Sequence, residues 1–165
     1  MEMLAYTWVD FAQMLLAVVA GFVIGFQREV RHKPAGVTTI TIVTLTSTLV
    51  MQLSYKLPGL GAAGAVDPTR MAAAVITGIG FLGAGVILRT GMHVQGITTA
   101  ASIWFMAAAG LAIGAGYYAP AMVAVVLVWL GFAIDPWVAR LVARRRRKLG
   151  VSPADASAEP PSGEL

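Results

Sequence analysis

Five apolar stretches, each close to the length that crosses a bilayer, constrain this chain more than any other feature of its sequence. A membrane-spanning helix needs about 20 largely apolar residues. The stretches are apolar on all sides instead of along one stripe, which favours helices surrounded by lipid. We therefore predict an all-α, polytopic transmembrane helical bundle. The predicted spans cover residues 9–26, 37–53, 71–88, 97–116 and 117–134.

The composition argues against a soluble enzyme domain. Of the 165 residues, 58% are hydrophobic and 12% are charged, and so small a chain cannot bury this much apolar surface in a water-soluble core. The absence of cysteine excludes disulfides and iron–sulfur clusters. The chain has no Walker, HExxH or GxSxG motif and no histidine–acid cluster. We therefore expect no enzyme, no cofactor and no bound metal.

The basic residues predict the orientation of the spans. Ten of the twelve lysines and arginines fall on one side of the alternating connections, and the positive-inside rule places that side in the cytoplasm. The N-terminus is then outside and the C-terminus inside. All four tyrosines fall on the outer side, as in an interfacial aromatic belt. The net charge of +4 is thus attributed to membrane orientation and not to nucleic-acid binding.

Two segments are expected beyond the transmembrane domain, which we place at residues 1–135. Asp135-Pro136 should end the fifth span and start a basic amphipathic helix over 136–149 that lies on anionic headgroups. Residues 150–165 lack an apolar pattern and are predicted to be disordered.

At the opposite face, Asp67 is the expected N-cap of the third span, with Arg70 in its first turn. A functional role for these two residues is the alternative.

The third span contains a GxGxxG pattern at Gly78, Gly80 and Gly83, followed by Gly85. A dinucleotide site would need a preceding strand and a later acid, and neither is present. Close helix packing through small residues is the favoured interpretation, and a ligand site is the alternative.

The first span carries Ala17, Gly21 and Gly25 at four-residue steps. Such a ridge could form a dimer seam or a gate, but packing against the third span of the same chain is favoured.

Polar side chains follow one stripe of the second span. They are Thr41, Thr44, Thr48 and Gln52. The stripe could line a polar path, or its hydroxyls could bond to their own helix or to a neighbour. The sequence leaves these two alternatives equal. Because no carboxylate lies near mid-membrane, one chain offers no obvious path for a cation, and an oligomeric pore is the remaining alternative.

A faint internal repeat relates the turn after the first span to the turn after the third. Arg28, His32 and Gly36 have counterparts in Arg89, His93 and Gly96, and chance is the competing explanation. Arginines and helix N-termini together would favour an acidic ligand at this inner face. The candidate functional residues there are Arg28, Glu29, Thr38, Arg89, Thr98 and Thr99.

These motifs together resemble the MgtC/SapB membrane proteins. The matching segments are Gly25-x-x-Arg28-Glu29, Pro34-Ala35-Gly36, Asp67-Pro68-x-Arg70, the block from Gly78 to Gly85, and Gly96-Ile97-Thr98-Thr99-Ala100-Ala101. The resemblance implies a short form of the family, in which the basic helix and tail stand where longer members carry a soluble C-terminal domain. Where the family pattern has an acid, a basic residue and a glutamine, this chain has Gln27, Thr38 and Ala74.

The resemblance implies a multi-pass protein of the bacterial cytoplasmic membrane. Relatives are tied to growth at low magnesium and to survival inside macrophages, and some are thought to regulate a membrane partner, notably the proton-translocating ATP synthase. We therefore expect a non-enzymatic, self-associating protein of magnesium or stress homeostasis that binds another membrane component. The rival functions are a magnesium-type cation transporter or channel, and a scaffold for lipid packing.

Overall fold

A computed structural model describes residues 6–57, 67–90 and 93–148 of the chain. Five α-helices there are long and apolar enough to cross a membrane, which confirms the predicted helical class. The elements are α1 Trp8–Val30, α2 Val37–Lys56, α3 Pro68–Val86, β1 Leu88–Thr90, β2 His93–Gln95, α4 Ile97–Gly114 and α5 Tyr118–Lys148. The orientation of the spans remains a prediction. The predicted tail at 150–165 lies outside the described residues.

Helix starts follow local side-chain chemistry. The Asp67 carboxylate accepts a hydrogen bond from the Thr69 backbone N–H at 2.9 Å, and Pro68 occupies the first turn. At α1, the Asp10 carboxylate accepts from the Thr7 backbone N–H at 2.6 Å. Such bonds satisfy N–H groups that lack a partner within the helix. The predicted cap at Asp67 is therefore present, with Arg70 in the first turn that follows it.

The structure departs from the all-α prediction in one connection and from the predicted end of the fifth span. A short antiparallel hairpin joins α3 to α4, with Leu88 paired to Gln95 and Thr90 to His93. Strands of three residues are too short to leave a periodic signal in the sequence. The second error concerns Asp135-Pro136, because α5 continues to Lys148. A proline removes one backbone hydrogen bond, and the remaining bonds of the helix continue past it.

The tightly packed core consists of α1, α2 and α4. The two compact units of the chain divide between Trp129 and Leu130, and every contact described below lies in the first unit. Ile24, Ile40, Ile103 and Met106 are fully or almost fully buried there. By contrast, α3 buries only Ile79 and Gly83 within the described bundle. The core helices therefore position the polar groups, and α3 lies at the edge.

Candidate functional site

Arg28 connects three parts of the bundle at the end where α1 turns into α2. Its guanidinium donates to the Pro34 and Ala35 carbonyl oxygens at 2.7 and 3.1 Å. It also donates to the hydroxyls of Thr99 and Ser102 on α4 at 2.7 and 2.9 Å. Arg28 is only 4% exposed. The side chain thus fixes the α1–α2 turn and ties it to the first turns of α4.

This placement changes the role expected for Arg28. The sequence placed it in an anion-binding vestibule, but its guanidinium is buried and bonds four neutral oxygen atoms. Among the partners, Thr99 was a predicted candidate and Ser102 was missed. A spacing of three residues puts Thr99 and Ser102 on one helix face, which is the signal that could have found Ser102. The neighbouring Thr98 is exposed, and its carbonyl oxygen accepts from the Ser102 hydroxyl at 2.6 Å.

Glu29 closes the same turn from its exposed side. Its Oε2 accepts from the Val37 backbone N–H at 2.8 Å, so it satisfies the first free donor of α2. The carboxylate lines a cleft of about 330 Å³ together with His32, Lys33, Gly36, Thr38 and Thr39. Glu29 and Thr38 therefore line the same cleft, whereas the Arg28 guanidinium bonds to the turn and to α4.

The two turns related by the sequence repeat have different structures. Arg28 belongs to a helix and is buried, whereas Arg89 belongs to strand β1 and is exposed. Gly36 has a φ of −84°, but Gly96 has a φ of +91° and leaves no room for a Cβ because the Val86 carbonyl occupies that space. Glycine is the residue that adopts this left-handed backbone without strain. The proposed equivalence of the turns was therefore wrong.

The polar stripe of α2 is closed by α4. The Thr44 hydroxyl donates to the Ile40 carbonyl oxygen at 2.8 Å, and the Thr48 hydroxyl contacts the carbonyl oxygens of Thr44 and Gly110 at 3.0 and 2.9 Å. Both threonines are fully buried. Of the two alternatives left open, bonding within and between helices is the one observed here. The Thr41 hydroxyl oxygen is buried without a described partner.

The glycine ridge of α1 packs against α2 and not against α3 as expected. A Cβ added at Gly21 would lie 2.7 Å from the Thr41 Cα, and one at Gly25 would lie 2.6 Å from the Val37 Cα. Elements that follow each other in the chain are usually neighbours in space, which is consistent with the contact to α2. Gly110 and Gly114, which the sequence reading overlooked, make equally close approaches from α4 to the backbone of α2.

The glycine block of α3 contributes little to packing within the chain. An added Cβ at Gly78, Gly80 or Gly85 would meet no heavy atom within 4 Å. Gly83 is the exception in this block, because its added Cβ would lie 3.6 Å from the Ala100 Cβ. Of the glycines that were predicted to pack against another helix of the same chain, only Gly83 does so. Gly78, Gly80 and Gly85 lie on an open surface.

A polar cluster that was not predicted from the sequence lies at the end of α1 and α2 that is away from the Arg28 turn. The Lys56 ammonium and the Asp10 carboxylate form an ion pair at 2.8 Å. Beside it, the Gln52 Nε2 donates to the Gln13 Oε1 at 2.6 Å, and the Gln13 Nε2 donates to the Tyr118 hydroxyl at 2.7 Å. The cluster thus joins α1, α2 and α5. The overlooked signal is that the α1 and α2 members of the cluster lie at nearly equal numbers of residues from the turn that joins these two helices.

The Asp10–Lys56 pair should contribute measurably to stability. We expect a double-mutant cycle with Asp10→Asn and Lys56→Met to give a coupling of about 1 kcal/mol, because both side chains are largely shielded from water. Unfolding by dodecyl sulfate in mixed micelles, followed by circular dichroism, provides the four free energies. A coupling of zero at low salt would show that the pair makes no net contribution.

Asp67 and Arg70 remain exposed at the start of α3. The Thr69 hydroxyl and backbone N–H hold the pKa of the Asp67 carboxyl below its usual range, and the Arg70 charge acts in the same direction. The cap therefore stabilises the fold above the ordinary pKa of aspartate, and this contribution disappears as the pH falls through the lowered value. This geometry accounts for Asp67 as a structural residue.

Metal ligands do not cluster in the part of the chain that the structure describes. No group of three His, Cys, Asp or Glu side chains there could hold a metal ion. The predicted candidates divide instead into the buried Arg28 junction, the cleft beside Glu29 and the exposed residues Thr98 and Arg89. Such an arrangement is suited to binding and to positioning of helices.

Comparison with known proteins identifies the family of this membrane-type bundle. The MgtC family model matches residues 14–141. The chain belongs to the MgtC family. It is 42% identical over 155 residues to an uncharacterized protein of Haemophilus influenzae, covering 88% of this chain and 65% of that protein. It is 38% identical to SapB of Bacillus subtilis, covering 79% and 58% of the respective chains.

Two further MgtC-family relatives have informative names. MgtC of Brucella abortus is 41% identical, covering 68% of this chain and 45% of that protein. YhiD of Escherichia coli K12, provisionally named a magnesium transporter, is 41% identical, covering 64% and 51%. The chain therefore spans between about half and two thirds of the length of these curated relatives. No solved structure matches it.

Proposed function

We propose that this MgtC-family protein serves magnesium or stress homeostasis in the bacterial cytoplasmic membrane by binding another membrane component. It would act without catalysis, with its N-terminus outside and its C-terminus in the cytoplasm. Family membership and the magnesium-related name of one relative support the physiological setting. The outward surface of α3 supports binding as the mode of action.

The outward surface of α3 differs from that of α1. Between Ala73 and Gly85, seven of the nine exposed positions of α3 are glycine, alanine or threonine. Between Phe11 and Phe26, six of the seven exposed positions of α1 are phenylalanine, leucine or valine. Both helices belong to the same bundle, so α1 provides an internal reference for a surface that faces lipid.

Small residues have a specific use between helices in lipid. Lipid tails are as apolar as leucine, so helices associate there through close backbone approach and van der Waals packing, and small residues permit that approach. No heavy atom of the described chain lies within 4 Å of a Cβ added at Gly78 or Gly85, and Gly78 lines an open apolar cleft between α2 and α3. We infer that a helix of another membrane protein packs on this surface. A second copy of the chain and the ATP synthase implied by the family resemblance are the partners to test.

Bulky side chains on α3 provide the test of this proposal. We expect Gly78→Leu and Gly85→Leu to abolish partner cross-linking in membranes and growth at low magnesium, because leucine prevents close approach. The bundle should remain folded, since no atom lies within 4 Å of an added Cβ at either position. Val19→Leu, which adds bulk to the exposed surface of α1, is the matched control.

The cross-linked product identifies the partner. Twice the mass of the chain indicates self-association, and a larger adduct can be identified by peptide sequencing. If both leucine variants retain cross-linking and low-magnesium growth, α3 is not the binding surface and the proposal is wrong.

Transport is the rival function, and the polar stripe of α2 would be its path. Thr44 and Thr48 are buried in a candidate span, although α4 closes the stripe in this structure. We expect liposomes containing the purified protein and a magnesium-sensitive dye to show no flux above protein-free liposomes. Magnesium flux that is lost in Thr44→Val plus Thr48→Val, but kept in the control Thr46→Val at an exposed position of the same helix, would establish the rival.

A further inference from the structure

The cleft beside the α1–α2 turn contains opposite charges that do not pair with each other. Glu29 and Lys33 both line it, and the described residues show no ion pair between their side chains. A spacing of four residues would allow such a pair on a continuing helix, but α1 ends at Val30. Two unpaired opposite charges in one cleft suit a ligand that itself carries both charges.

The Glu29 carboxylate has a defined position in this cleft. Its Oε2 accepts from the Val37 N–H at 2.8 Å, and a Cβ added at Gly36 would lie 2.6 Å from the same oxygen. Since one oxygen is engaged, Oε1 is available to a donor in the cleft. The lining also includes Lys33 and the hydroxyl-bearing residues Thr38 and Thr39. Ammonium and hydroxyl donors are typical partners of a phosphate group.

The position of the cleft relative to the bilayer indicates which molecules can reach it. The turn lies directly between two candidate spans, Trp8–Val30 and Val37–Lys56. A polar turn between two spans lies in the headgroup region of the bilayer. The most abundant chemistry at that depth is phospholipid headgroups, which present phosphate and, in some lipids, a primary ammonium group.

We propose that this cleft binds the headgroup of a phospholipid that carries both a phosphate and a primary ammonium group, as phosphatidylethanolamine does. The ammonium donates to Glu29, and Lys33 with the hydroxyls of Thr38 and Thr39 binds the phosphate. A primary ammonium has three N–H donors, whereas the quaternary ammonium of phosphatidylcholine has none. The site is separate from the α3 surface, so it can fail or succeed independently of the proposed function.

Competition between lipids tests the site on the full-length chain. The purified protein in detergent receives equal amounts of phosphatidylethanolamine, phosphatidylcholine and phosphatidylglycerol with identical acyl chains, and native mass spectrometry counts the bound lipids. We expect retention of the ethanolamine lipid over the choline lipid. Glu29→Gln should reduce that ratio about fivefold, which corresponds to about 1 kcal/mol. Lys33→Gln should reduce retention of both lipids.

Matched variants separate this site from general charge effects. Asp67→Asn and Arg70→Gln change the net charge equally at another exposed position, and they should leave the lipid ratio unchanged. Gly36→Ala should lower the ratio as Glu29→Gln does, because the added methyl group displaces the carboxylate while keeping its charge. An unchanged ratio in a folded Glu29→Gln or Gly36→Ala variant overturns the proposal. So does a wild-type preference for phosphatidylglycerol over the ethanolamine lipid.

Discussion

One added methyl group at Gly110 or Gly114 is expected to lower the free energy of unfolding by about 3 kcal/mol. A Cβ at Gly110 would overlap the carbonyl oxygen of Thr44, and one at Gly114 would lie 2.5 Å from the carbonyl oxygen of Thr48. Both obstacles are backbone atoms of α2, so they cannot rotate away as a flexible side chain would. Alanine would therefore force α2 and α4 apart along the centre of the core.

The glycines of α3 provide a control with the same substitution in the same kind of segment. Alanine at Gly78, Gly80 or Gly85 meets no heavy atom within 4 Å, and alanine is favoured over glycine in a helix by about 1 kcal/mol. These variants should be neutral or slightly more stable. Dodecyl sulfate titration in mixed micelles, monitored by circular dichroism, measures all five. Equal losses on α3 and α4 would contradict the close α2–α4 contact.

Arg28→Ala is expected to destabilise the fold by about 3 kcal/mol. The substitution removes donors to two carbonyl oxygens and two hydroxyls, and it leaves the Thr99 and Ser102 hydroxyls buried at the contact with α4. Arg28→Lys should still cost about 2 kcal/mol, since a single ammonium cannot reproduce the planar fork of a guanidinium. Ala35 would also lose a restraint on its left-handed backbone, which has a φ of 57°.

Arg89→Ala is the informative control for Arg28→Ala. The sequence repeat makes the two arginines equivalent, whereas the structure places Arg89 on an exposed strand. Exposed substitutions usually change stability by less than about 0.5 kcal/mol. The same micelle titration measures both variants. A loss at Arg89 as large as that at Arg28 would restore the repeat and contradict the junction described here.

The Arg28 junction illustrates how far the sequence could predict the candidate site. The motif around Arg28, Glu29 and Thr99 identified residues that the fold brings to the same end of the bundle. Their roles could not be read from spacing, because burial of the guanidinium depends on how α4 packs against the turn. The paired arginine in the repeat was misleading, since a sequence echo does not fix backbone conformation at Gly36 and Gly96.

The glycine motifs also show that the sequence identified residues whose contacts it could not predict. Small residues at four-residue steps predicted close contacts, and Gly21 and Gly25 make them, but with α2 in place of the expected α3. The more prominent block at Gly78–Gly85 is largely open, whereas Gly110 and Gly114 support the core. A pattern within one helix indicates a surface that can pack closely. It does not predict which helix packs against that surface.

Local composition is enough to locate five lipid-compatible helices, and the Asp67-Pro68 pair is enough to place a helix start, because hydropathy and capping act over a few neighbouring residues. The bonds from Arg28 to α4 and the close contacts of Gly110 and Gly114 with α2 join segments that are far apart in the chain. Asp10 meets Lys56 and Arg28 meets Ser102 only once those helices have packed. Their geometry therefore depends on the assembled bundle, where backbone sterics and hydrogen-bond satisfaction are settled together.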